Sequence, residues 1–201
     1  MTKYFVCSLP CQLGRSSIHP VERKQEILSC KSQKVQLEKY WVWKLLEYAV
    51  KKTYNKDFRC LEFTKNQHGK WLAKGFHFSL SHSKNAIAIA ISDRPIGIDV
   101  QAISKVKESV ASRILTDEEK EIYLKSDNKQ EYLAEIWVKK ESIFKCQNNG
   151  YFIPKEINTL DYQINNKIIN LDDEEYYVAV FSKDNTEITG EVCSKSDLIN
   201  F

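Results

Sequence analysis

Two strand-like runs follow each other in the middle of the chain, AIAIAIS at 86–92 and PIGIDVQ at 95–101, joined by a turn at Asp93-Arg94-Pro95. Short apolar runs rich in β-branched residues and bounded by turn residues predict strands. The second run carries a carboxylate, Asp99, among Ile96, Ile98 and Val100. Aspartate is poorly suited to strands and costly to bury without a partner. Asp99 and Gln101 are two apart, so on a strand both side chains emerge on one face. Two oxygen-bearing groups at that spacing can share a hard cation such as Mg2+. An Asp paired with a nearby Lys, or placed in water at a strand end, accounts for the same residues.

The rest of the chain frames this pair. KYFVCSL (3–9) has strand composition and stops at Pro10. The Gly-free stretch 21–52 predicts two helices broken near 29–33, the second marked by Leu37, Tyr40, Trp41, Leu45, Tyr48 and Ala49 on one face. FRCLEFTKNQHGKW (58–71) reads as a strand with a turn at His68-Gly69, and FHFSLSHS (76–83) alternates before turning polar. A second helical block begins near 104. Within it, Thr116 and Glu119 predict a capping box, and 129–146 reads as a long helix. Strands follow around a predicted Asn165-Asn166 turn and at YYVAVFS (176–182).

This order predicts an α+β fold and is compatible with two halves, 1–102 and 103–201, packed about a pseudo-two-fold as an intramolecular pseudo-dimer without a flexible linker, although the halves share no convincing sequence similarity. With 201 residues the chain can bury a sizeable core. Thirty basic against 27 acidic side chains leave a net charge of +3, too even for a dedicated nucleic-acid binder but compatible with an acidic partner or an anionic cofactor. The six cysteines lack C-x2-C spacing, and no segment reads as a signal peptide or membrane span. The expectation is a soluble cytoplasmic protein that acts as a monomer, with no nucleic acid and no membrane among its partners.

Two further motifs carry chemistry. In WVKKESIFK (137–145), Glu141 and Lys145 are i,i+4 and share one side of a helix with Trp137 a turn earlier. A surface pair worth about 0.2–0.5 kcal/mol explains them as well as a metal ligand or base beside a phosphate-neutralising lysine. SLSHS (79–83) puts Ser81 and His82 at a strand end. Neighbouring strand side chains face opposite ways and there is no Gly-x-Ser-x-Gly elbow, so the pair is not expected to form a catalytic dyad. Turn amides, a hydroxyl and an imidazole suit a phosphate, and they equally suit a plain hydrogen-bonded turn.

The order and spacing of FHFSLSHS, PIGIDVQ and WVKKESIFK resemble the signature of the 4′-phosphopantetheinyl transferases, in the larger, single-chain, pseudo-dimeric type. The resemblance implies an active site between the halves. There 4′-phosphopantetheine would pass from coenzyme A to a serine of an acyl or peptidyl carrier protein, with Mg2+ as cofactor and adenosine 3′,5′-bisphosphate released. The pathway implied is fatty-acid, nonribosomal peptide or polyketide biosynthesis. Asp99 matches the family's metal-binding aspartate, and Gln101 stands where many members have a second carboxylate. Glu141 matches the metal-binding glutamate proposed as base, and Lys145 the lysine near the attacked phosphorus. Ser81 and His82 match a pair that contacts the coenzyme A phosphates. Lys39 falls where an arginine holds the 3′-phosphate, and Lys70 where a basic residue precedes a proline, here Trp71. NNGYFIP (148–154) resembles a degenerate form of the glycine loop that follows the lysine. Two other readings stand beside this one: a non-catalytic module of the same fold that grips coenzyme A or a carrier, and a Mg2+-dependent pyrophosphate hydrolase.

Overall fold

Every residue of the strand Ala86–Ser92 is buried. Its isoleucines (87, 89, 91) and its alanines (86, 88, 90) enter different cores. Burial of an isoleucine is worth roughly 1.5–3 kcal/mol, more than the ~1 kcal/mol span of strand propensities, so packing on both faces fixes this strand at the centre of the molecule. The structure is a computed structural model and describes residues 1–148, 150–184 and 187–201.

The first part of the chain forms β1 (Thr2–Ser8), α1 (Val21–Leu28), α2 (Gln33–Tyr54), β2 (Phe63–Lys65), β3 (Trp71–Ala73), β4 (His77–Ser83), β5 (Ala86–Ser92) and β6 (Ile96–Ala102). The second forms α3 (Ala111–Ile114), α4 (Asp117–Lys125), α5 (Lys129–Gln147), β7 (Asn165–Leu171), β8 (Glu174–Ser182), β9 (Ile188–Cys193) and α6 (Lys195–Ile199). Strands order as β4-β5-β1-β9 in one sheet and β6-β8-β7 in another, while β2 and β3 form a small hairpin. The fold is α+β.

The layers follow from which faces are apolar. Helix α2 packs its Trp41, Leu45, Leu46 and Ala49 over Phe5, Ile87, Ile89 and Ile91 on the outer face of the first sheet. The inner face, with Tyr4, Val6 and the β5 alanines, meets Ile96, Ile98 and Val100 of β6 and Tyr176, Val178 and Val180 of β8. On the far side of the second sheet, Leu133, Ile136 and Val138 of α5 cover Tyr177 and Ala179. Two sheets thus lie back to back with a long helix outside each.

The capping box at Thr116 and Glu119 starts α4 as predicted. Glu119 does more than cap: it is fully buried and pairs with Lys140 of α5 at 2.6 Å. Thr159 N–H and O–H donate to its other oxygen at 2.9 and 2.8 Å. Three details differ from the sequence reading. The runs at 86–92 and 95–101, adjacent in sequence, belong to different sheets. Asn165 and Asn166 begin β7, and the turn falls at Asp172 and Asp173, both with positive φ (50° and 61°). The turn moves because Ile169 and Leu171 enter the core between the sheets. The strands also cross the expected 102/103 division: β6 pairs with β8, and β9 runs parallel to β1.

Candidate active site

The even-numbered residues of β6 (Ile96, Ile98, Val100, Ala102) fill the core between the sheets. Strand alternation then turns Gly97, Asp99 and Gln101 toward α5. A Cβ at Gly97 would collide with the carbonyl oxygen of Ser142 and the backbone N of Cys146. Glycine there lets α5 lie directly on β6, and this close approach brings Glu141 and Lys145 to Asp99. On the opposite side of α5, the buried Lys140 donates to the carbonyls of Ile114 (2.6 Å) and Pro154 (3.0 Å), which fixes the helix's rotation.

Lys145 Nζ is 2.7 Å from Asp99 Oδ1 and 3.8 Å from Glu141 Oε2. It also donates to the Ile98 carbonyl at 3.2 Å. Asp99 is 5% exposed, so the carboxylate in the strand is buried but partnered. Burial raises the Glu141 carboxyl above its ordinary range, and the Asp99 charge adds to this while Lys145 opposes it. With Ser81, His82, Gln101 and Trp137, these groups line a cavity of about 380 Å³. Gln101 donates its amide N–H to the Ala102 carbonyl at 3.1 Å, which leaves its oxygen as the group to offer.

Ser81 and His82 diverge, as strand neighbours must. Ser81 turns inward and donates to Asp99 Oδ1 at 2.6 Å. His82 turns toward α2, its Nδ1 3.5 Å from Glu38 Oε2 and its ring about half exposed.

A second cavity, about 670 Å³, adjoins the first and shares Leu80 and Lys145 with it. Its wall mixes cations with rings: Arg23, Lys70, Trp71, Phe78, Phe144 and Phe152. Phe152 packs on Phe144 and edge-on to Trp137, with ring centres 5.1 and 5.7 Å apart. It follows Gly150, whose φ of +67° lies in the left-handed region that favours glycine. Asn149 of the same loop is outside the described residues. Lys70 Nζ donates to the Lys145 carbonyl at 2.6 Å, and burial lowers its pKa.

Lys39 takes a different place. Its Nζ is 2.9 Å from Glu26 Oε1, at the edge of the larger cavity. Glu26 also accepts from Arg23 (2.8 Å), Lys65 (2.8 Å) and Trp71 Nε1 (3.0 Å). Burial opposes its ionisation, but the Lys65, Lys39 and Trp71 hydrogen bonds and the Arg23 charge outweigh it and bring the carboxyl down to about 2. Sequence reasoning missed Arg23 and Glu26; the one sequence signal was their i,i+3 spacing, which any solvated helix also shows.

Apart from Lys39, the residues singled out in the sequence gather at two adjoining cavities, with Asp99, Gln101, Glu141, Lys145, Ser81 and His82 at one and Lys70 and Lys145 at the other. Among the described residues no group of three His, Cys, Asp or Glu side chains is placed to hold a metal. The oxygen donors here are two carboxylates and one amide.

Residues 95–194 match the sequence model of the 4′-phosphopantetheinyl transferase superfamily. The 4′-phosphopantetheinyl transferase gsp of Aneurinibacillus migulanus is 34% identical over 96 residues, 46% of this chain and 40% of that protein. The 4′-phosphopantetheinyl transferase Sfp of Bacillus subtilis (strain 168) is 26% identical over 115 residues, 55% of this chain and 51% of that protein. The matched stretch thus spans about half or less of these relatives' own lengths. A solved holo-[acyl-carrier-protein] synthase of Thermotoga maritima overlaps 45% of this chain and 64% of its own, at 22% identity and a TM-score of 0.33. The motifs at Asp99 and Glu141 lie inside the matched stretch, and on that match and these relatives the chain is a member of the 4′-phosphopantetheinyl transferase superfamily.

Proposed function

We propose that the chain transfers 4′-phosphopantetheine from coenzyme A to a serine hydroxyl of an acyl or peptidyl carrier protein, releasing adenosine 3′,5′-bisphosphate. The observation that supports this best is the meeting of Asp99, Glu141 and Lys145. Two carboxylates approach one ammonium nitrogen at 2.7 and 3.8 Å, beside a cavity walled by cations and aromatic rings. The larger cavity would take the nucleotide end of coenzyme A, with its rings against the base and Arg23, Lys70 and Lys145 toward its phosphates. His82 lines the smaller cavity, and Lys39 pairs with Glu26 on the wall of the larger one, so each would add a cation or donor toward the same phosphates.

The donor set fits a hard cation. Asp99 and Glu141 already share a positive charge, that of Lys145, and the Gln101 amide oxygen lies on the same wall. Asp99, Glu141 and Gln101 would hold Mg2+, which when bound offsets the negative charge of the reacting pyrophosphate. The residues themselves do the rest. Glu141, whose burial raises its proton affinity, takes the carrier serine's proton directly or through a water. The serine oxygen then bonds to phosphorus while the bond from phosphorus to the bridging oxygen breaks. Lys145 donates to the oxygens on which charge grows. Lys70 and Arg23 hold the leaving nucleotide in line. On this reading the protein acts as a monomer in the cytoplasm, with coenzyme A and the carrier as its partners.

Mass spectrometry of an apo acyl carrier protein incubated with the chain, coenzyme A and Mg2+ tests the proposal. A phosphopantetheine mass gain on the carrier serine is expected. Cleavage of coenzyme A without that gain would indicate a hydrolase, and intact coenzyme A that nonetheless binds would indicate a non-catalytic module.

A further inference from the structure

Strands β4 and β6 are edges of different sheets, and a ladder of serine side chains joins them. Ser79, Ser81 and Ser83 of β4 accept from the backbone N–H groups of Ile98, Val100 and Ala102 of β6, each at 3.2 Å. The offset is 19 residues at every rung. Alternation puts all three hydroxyls on one face of β4 and all three N–H groups on one edge of β6, so side chains replace the backbone partner that β6 lacks on this side.

The middle rung carries a second bond. A serine hydroxyl has one proton to donate and lone pairs to accept. Ser81 accepts from Val100 N–H and gives its proton to Asp99 Oδ1 at 2.6 Å. It is 4% exposed. Lys145 Nζ reaches the same oxygen at 2.7 Å. Two donors on Oδ1 fix the rotation of the carboxylate and leave Oδ2 as the oxygen offered to a cation. Donating to a phosphate would require Ser81 to release Asp99.

We propose that Ser81 is a positioning residue for Asp99: its buried hydroxyl, anchored on Val100 N–H, orients the carboxylate for a hard divalent cation. This rests on the metal role given to Asp99 above. It departs from the phosphate contact that the family resemblance implies for Ser81. Outer partners that orient a ligating carboxylate typically change metal affinity by roughly 10–100-fold when removed.

The test is Mn2+ binding to the full chain followed by electron paramagnetic resonance, without carrier protein, alongside calorimetric titration with coenzyme A. Ser81→Ala should weaken Mn2+ binding at least about 10-fold and leave coenzyme A affinity close to that of the wild type. Ser83→Ala, which removes a neighbouring rung but no bond to Asp99, should leave Mn2+ affinity unchanged. Ser81→Cys fills the same space with a weak donor and should reproduce the loss, which covers the case of an alanine variant that does not fold. Unchanged Mn2+ binding with weakened coenzyme A binding in Ser81→Ala would overturn the proposal in favour of a phosphate contact. Equal losses in Ser81→Ala and Ser83→Ala would overturn it in favour of a purely structural ladder. A wild-type chain that binds coenzyme A but no Mn2+ would remove the metal role itself, whereas absence of carrier modification despite normal Mn2+ binding would count against the transferase reading alone.

Discussion

Asp99 and Glu141 bear like charges on facing elements, and Lys145 between them offsets the repulsion. Both carboxylates pair with polar groups of the site, Asp99 with Ser81 and Lys145 and Glu141 with Lys145, so removing one costs the site more than it costs the fold. Asp99→Ala and Glu141→Ala should each lower the rate of carrier modification by roughly 100-fold or more, as loss of a charge-stabilising group does. Both variants should still unfold cooperatively in a circular dichroism melt. Turnover near that of the wild type in either would remove that residue from the chemistry. Gln101 gives a graded test on the same wall. Gln101→Glu should tighten Mg2+ binding, because a hard cation gains from a further anionic oxygen, without raising the saturated rate. Gln101→Ala should raise the Mg2+ needed for half activity, since water can fill the place of the lost oxygen. Superimposable magnesium titrations would mean that Gln101 does not serve the cation.

Helix α5 meets β6 through the space that Gly97 leaves open. Gly97→Ala sets a methyl against backbone, which has little room to yield, and overpacking of this kind costs about 1–3 kcal/mol. The helix must shift away from the strand, so transfer activity should fall even where the variant stays folded; a normal rate with normal stability would refute the close approach. Glu26 ties another set of elements together, joining α1 to Lys39 of α2, Lys65 of β2 and Trp71 of β3. Its carboxyl is held at about 2 against an ordinary 4.5, so the stability it contributes is present above about 4.5 and is lost as pH falls toward 2. Glu26→Gln should therefore be less stable than the wild type by about 1–3 kcal/mol at neutral pH. Urea unfolding across pH should show that gap closing in acid; a constant gap would deny the ion-pair role. The elements differ in how far the sequence announces them. Helical spacing reveals α2, alternation and apolar runs reveal β4, β5 and β6, and the Thr116–Glu119 box marks the start of α4. ITGEVC at β9 has only a broken alternation, with Gly190 between Ile188 and Val192, and is largely exposed; it becomes a strand because β1 offers it an edge. Glu26 and the serine ladder escaped for a similar reason. Their partners lie on other elements, and no local pattern encodes which elements will meet.

Taken whole, the chain interlaces its two sheets. β6 comes from the first half of the sequence but pairs with β8, while β9 returns from the far end to pair with β1. The core between the sheets takes residues from β1 and β5 on one side and from β6, β7 and β8 on the other. The larger cavity follows the same plan, with Arg23, Trp71 and Phe78 on one wall and Phe144, Lys145 and Phe152 on the other. A cut at 102/103 would leave β6 without β8, deprive β1 of β9, and expose the inner faces of both sheets. Fragments 1–102 and 103–201 should each lack a cooperative melt and fail to bind coenzyme A, while the intact chain should unfold in a single denaturant transition. Mixing the fragments should restore circular dichroism signal and ligand binding together, because one interface supplies both the missing strands and the missing cavity wall. A fragment 1–102 that melts cooperatively by itself would show that the halves are independent domains, and the interlaced arrangement of β6 and β9 would then contribute little to folding.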